Sequence, residues 1–497
     1  MSGGLAGTPD VQSLVERLRA TIEVLESLAS DRRLLEVLSG DDRARFLRAL
    51  TKARGPASRT RRRLAKATAR EERLARVAND RRVRAETGIQ TLRRRPTFTT
   101  PIFFPPATDE PGERRTLEPQ ACYICKCRYE TVHHFYDQLC PRCAELNFAK
   151  RTELADLTGR VALVTGGRVK IGYQAALKLL RSGARLIVTT RFPRDAAGRY
   201  AGEADAIEWR DRLEIVGLDL RHTPSVEALC QRVLATHDRL DFIVNNACQT
   251  VRRPPAFYAH MMAAEAELHA RDSGFAIRDS SPESLIRTPE SLAGNPGILA
   301  PLLSQVPLLP DELVVQPDLF PQGRLDADLQ QVDLRGCNSW RLLLAEVSTV
   351  ELLEVHLVNA IGPFVLNARL KPLMMRTPDH DKHIVNVSAV EGQFYRAFKT
   401  TRHPHTNMAK AALNMMTRTA AADYHTDGIH MNSVDTGWVT DEDAVAIAKR
   451  KTDEQGFHPP LDAIDGAARV VDPIISGINT GVHTWGQFLK DFGPTDW

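Results

Sequence analysis

Short apolar runs alternate with amphipathic stretches over the C-terminal two thirds of the chain. The apolar runs have the length and the β-branched content of buried strands, and most of the stretches between them repeat their apolar residues at helical spacing. The predicted strands are residues 160–165, 185–190, 213–219, 240–246, 383–388 and 430–435, with a last edge or sheet strand near 485–489. This alternation predicts an α/β fold with a doubly wound parallel sheet of the Rossmann type.

The first hundred residues show a different pattern. Apolar residues recur at three- and four-residue steps over 11–50, which predicts a helical hairpin, and a highly charged helix is expected over 60–84. Residues 51–95 contain sixteen Lys and Arg against four Asp and Glu, so the net charge of +4 conceals one basic segment in an otherwise acidic chain. Segment 60–95 therefore predicts contact with a nucleic acid or an acidic protein, although a solvated helix or a coiled-coil arm fits it equally.

A cysteine cluster follows a Pro-containing linker at 97–118. Two Cys-x-x-Cys pairs, Cys122/Cys125 and Cys140/Cys143, are separated by 14 residues. This spacing suits four thiolates around one structural zinc ion in a module over 119–150. Cys127, His133 and His134 leave a Cys/His permutation or a second site open, and four reduced cysteines without metal are the plainer alternative.

The remaining composition points to an intracellular protein. Cys230, Cys248 and Cys337 are scattered along the chain, as is usual for reduced thiols. No run of about 20 apolar residues appears in the sequence. Residues 1–10 lack the basic and apolar pattern of a secretory signal. We therefore expect a cytoplasmic protein with no membrane partner.

A glycine turn joins the first predicted strand to a helix. Thr165 leads into Gly166-Gly167-Arg168-Val169-Lys170-Ile171-Gly172, and residues 173–182 continue with a helical pattern. Glycines allow a pyrophosphate to approach the backbone, and free N–H groups at a helix N-terminus bind its charge. The pattern predicts a dinucleotide-binding turn.

Several motifs in register resemble the short-chain dehydrogenase/reductase family from residue 157 to about 489. They are Thr165-Gly166, Ile171-Gly172, Asp219-Leu220, Asn245-Asn246-Ala247, Asn359, Ser388 and Lys410. The resemblance implies that Asp219 contacts adenine, that Asn246 and Ala247 line the cofactor cleft, and that Gly437 and Thr440 contact the nicotinamide end. It also implies cofactor contacts from Leu220 and Lys410, and members of the family commonly form dimers or tetramers.

Positive charge near the turn bears on the choice of cofactor. Arg191 follows the second strand where NAD-preferring members of the family place an acidic residue, and Arg168 and Lys170 lie in the glycine turn. A 2′-phosphate suits these side chains, so NADP is predicted over NAD. Lys170 also replaces the family's third glycine, so we expect Gly167 to supply the missing backbone freedom.

The family's catalytic tyrosine is absent from this chain. Its Tyr-x-x-x-Lys motif reads Thr406-Asn-Met-Ala-Lys410 here, and a threonine hydroxyl is far too weak an acid to replace a phenol. Ser388, Lys410 and Asn359 are retained as expected catalytic residues. Tyr395 is a predicted replacement acid, and His403 and His405 are alternatives.

About 100 residues separate Cys248 from the helix near Val350, far more than the family requires. The predicted organisation is therefore a basic helical region (1–96), the linker, the cysteine module, a split Rossmann domain (155–250 and 350–497) and an insertion (251–349). The insertion is expected to be a lid or a docking segment, or to be partly disordered.

Three functions remain compatible with these features. The first is an NADP-dependent oxidoreductase with a non-standard proton donor, acting on an unknown carbonyl or alcohol and forming a homo-oligomer. The second is an inactive cofactor-binding scaffold or redox sensor that recruits partners through the zinc module and the basic helix. The third, a protein that chiefly binds nucleic acid, lacks a base-reading motif.

Overall fold

A computed structural model of the protein describes residues 11–53, 57–100, 114–271, 296–313, 317–396 and 399–497. The chain divides into two compact units, Met1–Ala78 and Asn79–Trp497. The first unit is helical, with α1 (Val11–Ser30), α2 (Gly40–Ala53) and most of α3 (Ala57–Ala85). Apolar residues on its helices remain largely exposed, as at Leu18 (54%) and Leu64 (63%), because these short amphipathic elements bury little surface.

The cysteine module opens the second unit and is larger than predicted. It contains α4 (Gly88–Arg93), the antiparallel pair β1 (Arg114–Ala121) and β2 (Arg128–Val132), and α5 (Pro141–Thr152). Ile89 of α4 is buried among the module's aromatic residues. The module therefore extends beyond the predicted range 119–150, because Ile89 of α4 joins its core and β1 pairs with β2. Residues 101–113 of the predicted linker lie outside the described residues.

An eight-stranded sheet forms the centre of the second unit. Its strands are β3 (Val161–Thr165), β4 (Arg185–Thr190), β5 (Leu213–Gly217), β6 (Phe242–Asn245), β7 (Lys382–Ser388), β8 (Ile429–Asp435), β9 (Phe488–Lys490) and β10 (Gly493–Thr495). The order is β10-β9-β8-β7-β6-β3-β4-β5, and all neighbours are parallel except β10 and β9. This confirms the predicted doubly wound fold, and β10 is an edge strand that sequence reasoning missed.

The second unit contains further helices, several of which cover the two faces of the sheet. They are α6 (Lys170–Arg181), α7 (Pro193–Ala201), α8 (Ala206–Trp209), α9 (Thr223–Thr236), α10 (Pro255–Arg271), α11 (Pro296–Leu303), α12 (Thr349–His356), α13 (Gly362–Met374), α14 (Pro404–Thr426), α15 (Val445–Gln455) and α16 (Ala463–Thr480). Successive residues of β3 point to opposite faces: Ala162 and Val164 join the cluster with α6 and α16, whereas Val161 and Leu163 join the cluster with α9 and α13. Burial on both sides explains why the strands are continuous apolar runs.

One segment of the described chain, Thr349–Met374, is long and apolar enough to cross a membrane by length and composition alone. It comprises α12, a single π-helical turn (Leu357–Ile361) and α13. Leu366, Leu370 and Leu373 are buried against the sheet, so packing in the fold accounts for their apolar character. Leu353 and Phe364 remain exposed on the outer side, and pairing of this face with a second copy stays a prediction.

The described part of the insertion packs on the Rossmann core. Phe257, Tyr258 and Met261 of α10 form a buried cluster with Phe320 and with Phe192, which follows β4. Residues 272–295 and 314–316 of the insertion lie outside the described residues. Strand order reverses between β3 and β6, and the crevice at the carboxyl ends of these strands is where open α/β sheets bind ligands.

Candidate active site

The glycine turn after β3 forms the floor of that crevice. Gly166 has φ +70°, and a Cβ there would lie 2.9 Å from Ala247 Cα. A Cβ on Gly172 would lie 2.2 Å from Asn246 Nδ2, which donates hydrogen bonds to the carbonyls of Thr165 (3.1 Å) and Gly166 (3.2 Å). Only glycine fits these positions, so the turn keeps its backbone open toward the start of α6.

Lys170, and not Gly167, supplies the backbone freedom expected of the missing glycine. Lys170 adopts φ +54°, whereas Gly167 has no positive φ and packs against Val188. The expectation for Gly167 was therefore wrong. Lys170 and Ile171 both line the cavity described below.

The two arginines predicted for the 2′-phosphate differ in their surroundings. Arg168 is buried, and its guanidinium donates to Asp195 (2.7 Å) and Gln330 (3.2 Å). Its charge is already paired, so the prediction that it binds phosphate is not supported. Arg191 stacks on the Tyr258 ring (4.5 Å) and donates to its hydroxyl (2.5 Å), and no described carboxylate forms an ion pair with it.

Asp219 lies at the end of the crevice near Arg191. Its carboxylate accepts from the Arg221 backbone N–H (2.9 Å) and from the Arg221 guanidinium (2.7 Å). Burial raises the pKa of this carboxyl, but Arg221 and Arg191 more than offset that effect and hold it below its ordinary value. Asp219 is thus an ionised acceptor, and Leu220 beside it lines the cavity.

The opposite end of the crevice contains Ser388 and Lys410, and Asn359 lies beside it. The Ser388 hydroxyl is buried and has no hydrogen-bond partner among the described residues, and Lys410 Nζ donates to the Val387 carbonyl at 2.8 Å. Both line the cavity. Asn359, in the π-helical turn, accepts from the Gln249 N–H (2.7 Å) and donates to the Gln249 carbonyl (3.1 Å). Asn359 therefore fixes the loop after β6 through its amide group.

None of the predicted substitutes for tyrosine stands in the cavity. Thr406 is buried and lies outside the lining, and Tyr395 is 91% exposed and also lies outside it. His403 stacks on Trp340 at 3.8 Å, and His405 is buried 3.5 Å from Glu351. The prediction of Tyr395 as a replacement acid was wrong for this structure, because the loop after β7 turns its side chain to solvent.

The loop after β8 borders the same end. Gly437 adopts φ +74° and donates its N–H to Asp435 at 2.8 Å, and the Thr440 hydroxyl donates to Glu442 at 2.6 Å. Asp435 is the register partner of Ser388 on β7 and of Lys490 on β9. Sequence reasoning missed Asp435 and Lys490 as site residues, although parallel strands always bring their carboxyl ends to one edge.

The insertion lies over the crevice. Lys170 Nζ lies 3.9 Å from Asp328, and Arg199 donates to the carbonyls of Asp328 (2.9 Å) and Leu329 (3.1 Å). Arg253 and Arg335 both pair with Asp333. These contacts favour the lid interpretation over the docking segment for the described part.

The cysteine module supplies the remaining wall. The sulfur atoms of Cys122, Cys125, Cys140 and Cys143 all lie within 4.8 Å of one another, which fits one tetrahedral zinc ion with bonds of about 2.3 Å. His133 instead accepts from the Phe135 N–H, and neither His133 nor His134 belongs to the sulfur group among the described residues.

Two residues at the first Cys-x-x-Cys pair (Cys122/Cys125) reach the crevice. Tyr123 and Lys126 line the same cavity as the glycine turn. The Tyr123 hydroxyl accepts from the Trp438 N–H at 2.9 Å. Sequence reasoning treated the module as a separate unit and did not anticipate this contact.

One cavity of about 1100 Å³ connects all these groups, from Arg191 and Asp219 through the glycine turn to Ser388, Lys410 and Lys490. The glycine turn at the topological switch point, with Ser388 and Lys410 farther along the same cavity, places the protein in the Rossmann class.

Comparison with known proteins identifies the family. A family model described as short chain dehydrogenase matches residues 160–267, and one described as Enoyl-(Acyl carrier protein) reductase matches residues 339–461. The chain belongs to the short-chain dehydrogenase/reductase family, which confirms the resemblance, and it is an oxidoreductase-family protein.

Individual relatives differ in how much they cover. Uncharacterized protein R665 of Acanthamoeba polyphaga mimivirus is 32% identical over 380 residues, which is 74% of each chain. Dehydrogenase/reductase SDR family member 13 of Bos taurus is 36% identical over 110 residues, but the match covers only 20% of this chain and 28% of the bovine protein. The Pseudomonas aeruginosa RhlG/NADP active-site complex aligns with a TM-score of 0.43 at 18% identity, over 67% of this chain and 95% of that chain.

Proposed function

We propose that this chain binds NADP and reduces or oxidises a carbonyl or alcohol substrate at the Ser388 end of the cavity. The observation that supports this most is the continuous cavity that runs from Arg191, which pairs with no described carboxylate, past the glycine turn to Ser388 and Lys410. A bound NADP would supply or accept the hydride in this reaction.

Each part of the cofactor has a complementary set of residues. The backbone of Gly166–Gly172 and the N-terminus of α6 suit the pyrophosphate, since a Cβ at either of these two glycines would meet other atoms. Arg191 suits the 2′-phosphate, because a guanidinium binds an oxyanion through paired N–H groups. Ser388 and Lys410 suit the nicotinamide end and the reacting oxygen.

The proton must pass through a group other than Thr406, because its hydroxyl is buried outside the cavity lining. The absent tyrosine is also the feature that favours the second candidate, a cofactor-binding scaffold or redox sensor without catalysis. The two candidates agree on NADP binding and differ only in turnover.

Calorimetric titration with NADPH and NADH tests the cofactor assignment. A charge-assisted hydrogen bond contributes about 1.5–3 kcal/mol, so Arg191→Gln should weaken NADPH binding by roughly 10- to 100-fold and leave NADH binding nearly unchanged. Arg185→Gln is the matched control, because Arg185 lies exposed at the amino end of the same strand. Absence of NADPH binding by the unaltered protein would overturn the proposal.

Turnover separates the two candidates. Oxidation of NADPH in the presence of an aldehyde or ketone from a panel would support the oxidoreductase, provided that the Ser388→Ala variant oxidises NADPH more slowly. Tight NADPH binding without oxidation across that panel would favour the scaffold.

A further inference from the structure

The part of the cavity around Ser388, called here the Ser388 compartment, is also lined by positively charged side chains. Ser388, Asp435 and Lys490 stand side by side in register at the carboxyl ends of β7, β8 and β9. All three line the cavity. This end of the sheet therefore presents a hydroxyl, a carboxylate and an ammonium group to one space.

The carboxylate of that row is already engaged. Asp435 accepts from the backbone N–H groups of Val390 and Gly437, both at 2.8 Å. The Lys490 ammonium lies farther away, 3.5 Å from Asp435 and 3.3 Å from Asp491. Lys490 is therefore ion-paired with two carboxylates at long distances, and because an ammonium group has three N–H donors, one remains for another anion.

The cysteine module adds a second cation and a flat surface. The Tyr123 ring lies between two ammonium groups, that of Lys126 at 5.0 Å and that of Lys490 at 5.8 Å from the ring centroid. No described carboxylate forms an ion pair with Lys126. Trp438, 43% exposed, stands beside Tyr123 and donates its backbone N–H to the phenol oxygen.

Other charges at this end do not cancel the excess. Glu391 accepts from Arg396 at 3.0 Å, so that pair is internally neutral. Lys410 donates to the Val387 backbone carbonyl, and no described carboxylate forms an ion pair with it. An oxyanion in the compartment would thus meet the ammonium groups of Lys490 and Lys126. Glu442 of the same lining has no described ion pair and is held by the hydroxyls of Thr250 and Thr440.

We infer that this compartment binds the substrate and that the substrate carries a carboxylate, which Lys490 and Lys126 hold while Tyr123 and Trp438 contact its apolar or aromatic part. The inference rests on the proposed function, because it places the anion beside the carbonyl that Ser388 faces. It gives the cysteine module a direct part in substrate recognition, in addition to closing its own small core.

Equilibrium binding tests this without turnover. We would measure the affinity of NADPH-saturated protein for 4-(hydroxymethyl)benzoate and for neutral 4-methylbenzyl alcohol by calorimetry, since an alcohol and a reduced cofactor do not react. The carboxylate probe should bind about tenfold more tightly, the effect of one hydrogen bond to a charged group.

Two variants locate the anion. Lys490→Met should lower the affinity for the carboxylate probe about tenfold and leave the neutral probe unchanged. Lys126→Met should lower it by a smaller factor, and because Lys126 is exposed this variant is expected to fold. Lys449→Met, on the exposed side of α15, is the control that should change neither affinity.

Equal affinity of the two probes, or a preference for the carboxylate that survives both lysine variants, overturns the inference while NADPH binding stands. Failure of NADPH to saturate the protein in the first titration instead overturns the proposed function.

Discussion

Loss of the Arg151 side chain should release the cysteine module from α16. Arg151, on α5, is fully buried and donates to both oxygens of Asp462 (2.7 and 2.9 Å) and to Asp465 (2.8 Å). These two carboxylates form the N-terminal capping box of α16. Arg151→Met would leave both of them buried without their shared cation.

The expected cost can be worked out from what the carboxylates keep. Removing one partner of a buried ion pair costs about 3–5 kcal/mol. Asp462 would retain the N–H groups of Ile464 and Asp465, and Asp465 would retain the Tyr136 hydroxyl at 2.5 Å. These remaining donors favour the lower end, about 3 kcal/mol, which corresponds to roughly a 100-fold change in an equilibrium constant.

Native-state hydrogen exchange is the suitable assay, because a chain with two units does not give a single two-state unfolding curve. Peptides covering α5 and α16 should exchange about 100-fold faster in Arg151→Met under conditions where exchange reports the opening equilibrium. Arg142→Met, an exposed position on the same helix, should leave those rates unchanged. Adding Asp465→Asn to Arg151→Met should restore part of the protection, because one unpaired charge is removed.

Protection within threefold of the unaltered protein in Arg151→Met would refute this reasoning. It would mean that apolar packing around Leu461 and Phe135, and not the ion pairs, holds the module in place.

Three further outcomes are expected. Purified protein should contain about one zinc ion per chain by mass spectrometry. The Cys140→Ser variant should lose the metal and become protease-sensitive in the module. A metal-free protein with unchanged protease resistance would contradict the zinc site. Burial lowers the pKa of His383, His430 and His483 below the ordinary value of 6.5, and neighbouring histidines lower it further for His383 and His430. The unfolded chain then takes up protons first, so stability present above about pH 6.5 should fall as the pH drops, and an equal urea midpoint at pH 7.5 and 5.5 would count against it. Gly172→Val should weaken NADPH binding at least about tenfold with an unchanged circular dichroism spectrum, because the valine side chain would displace the Asn246 amide. Unchanged affinity would show that the turn does not hold the cofactor.

The Rossmann fold was predictable because its signal is local. Each parallel strand is buried on both faces, so it reads as a short apolar run, and the glycine turn sits directly after the first of them. The grouping of the four cysteine sulfurs was predictable for the same reason, since each Cys-x-x-Cys pair brings two thiols together over a short spacing, and zinc binding stays a prediction. Nucleic-acid binding by segment 60–95, homo-oligomer formation and a cytoplasmic location stay predictions.

Features that depend on contacts between distant segments could not be predicted from the sequence. Arg168 and Arg191 look alike along the chain. Only the tertiary structure shows that Arg168 is paired with Asp195, whereas Arg191 packs on Tyr258 and has no described carboxylate partner. Tyr395 stood at a plausible distance from Ser388 in the chain, yet the loop directs it to solvent. Local spacing therefore determined the fold class, the glycine turn and the grouping of the four cysteines. The tertiary structure alone brought Tyr123 of the cysteine module, Ser388 and Lys490 to one cavity, because their proximity arises from packing over hundreds of residues and leaves no periodic trace in the chain.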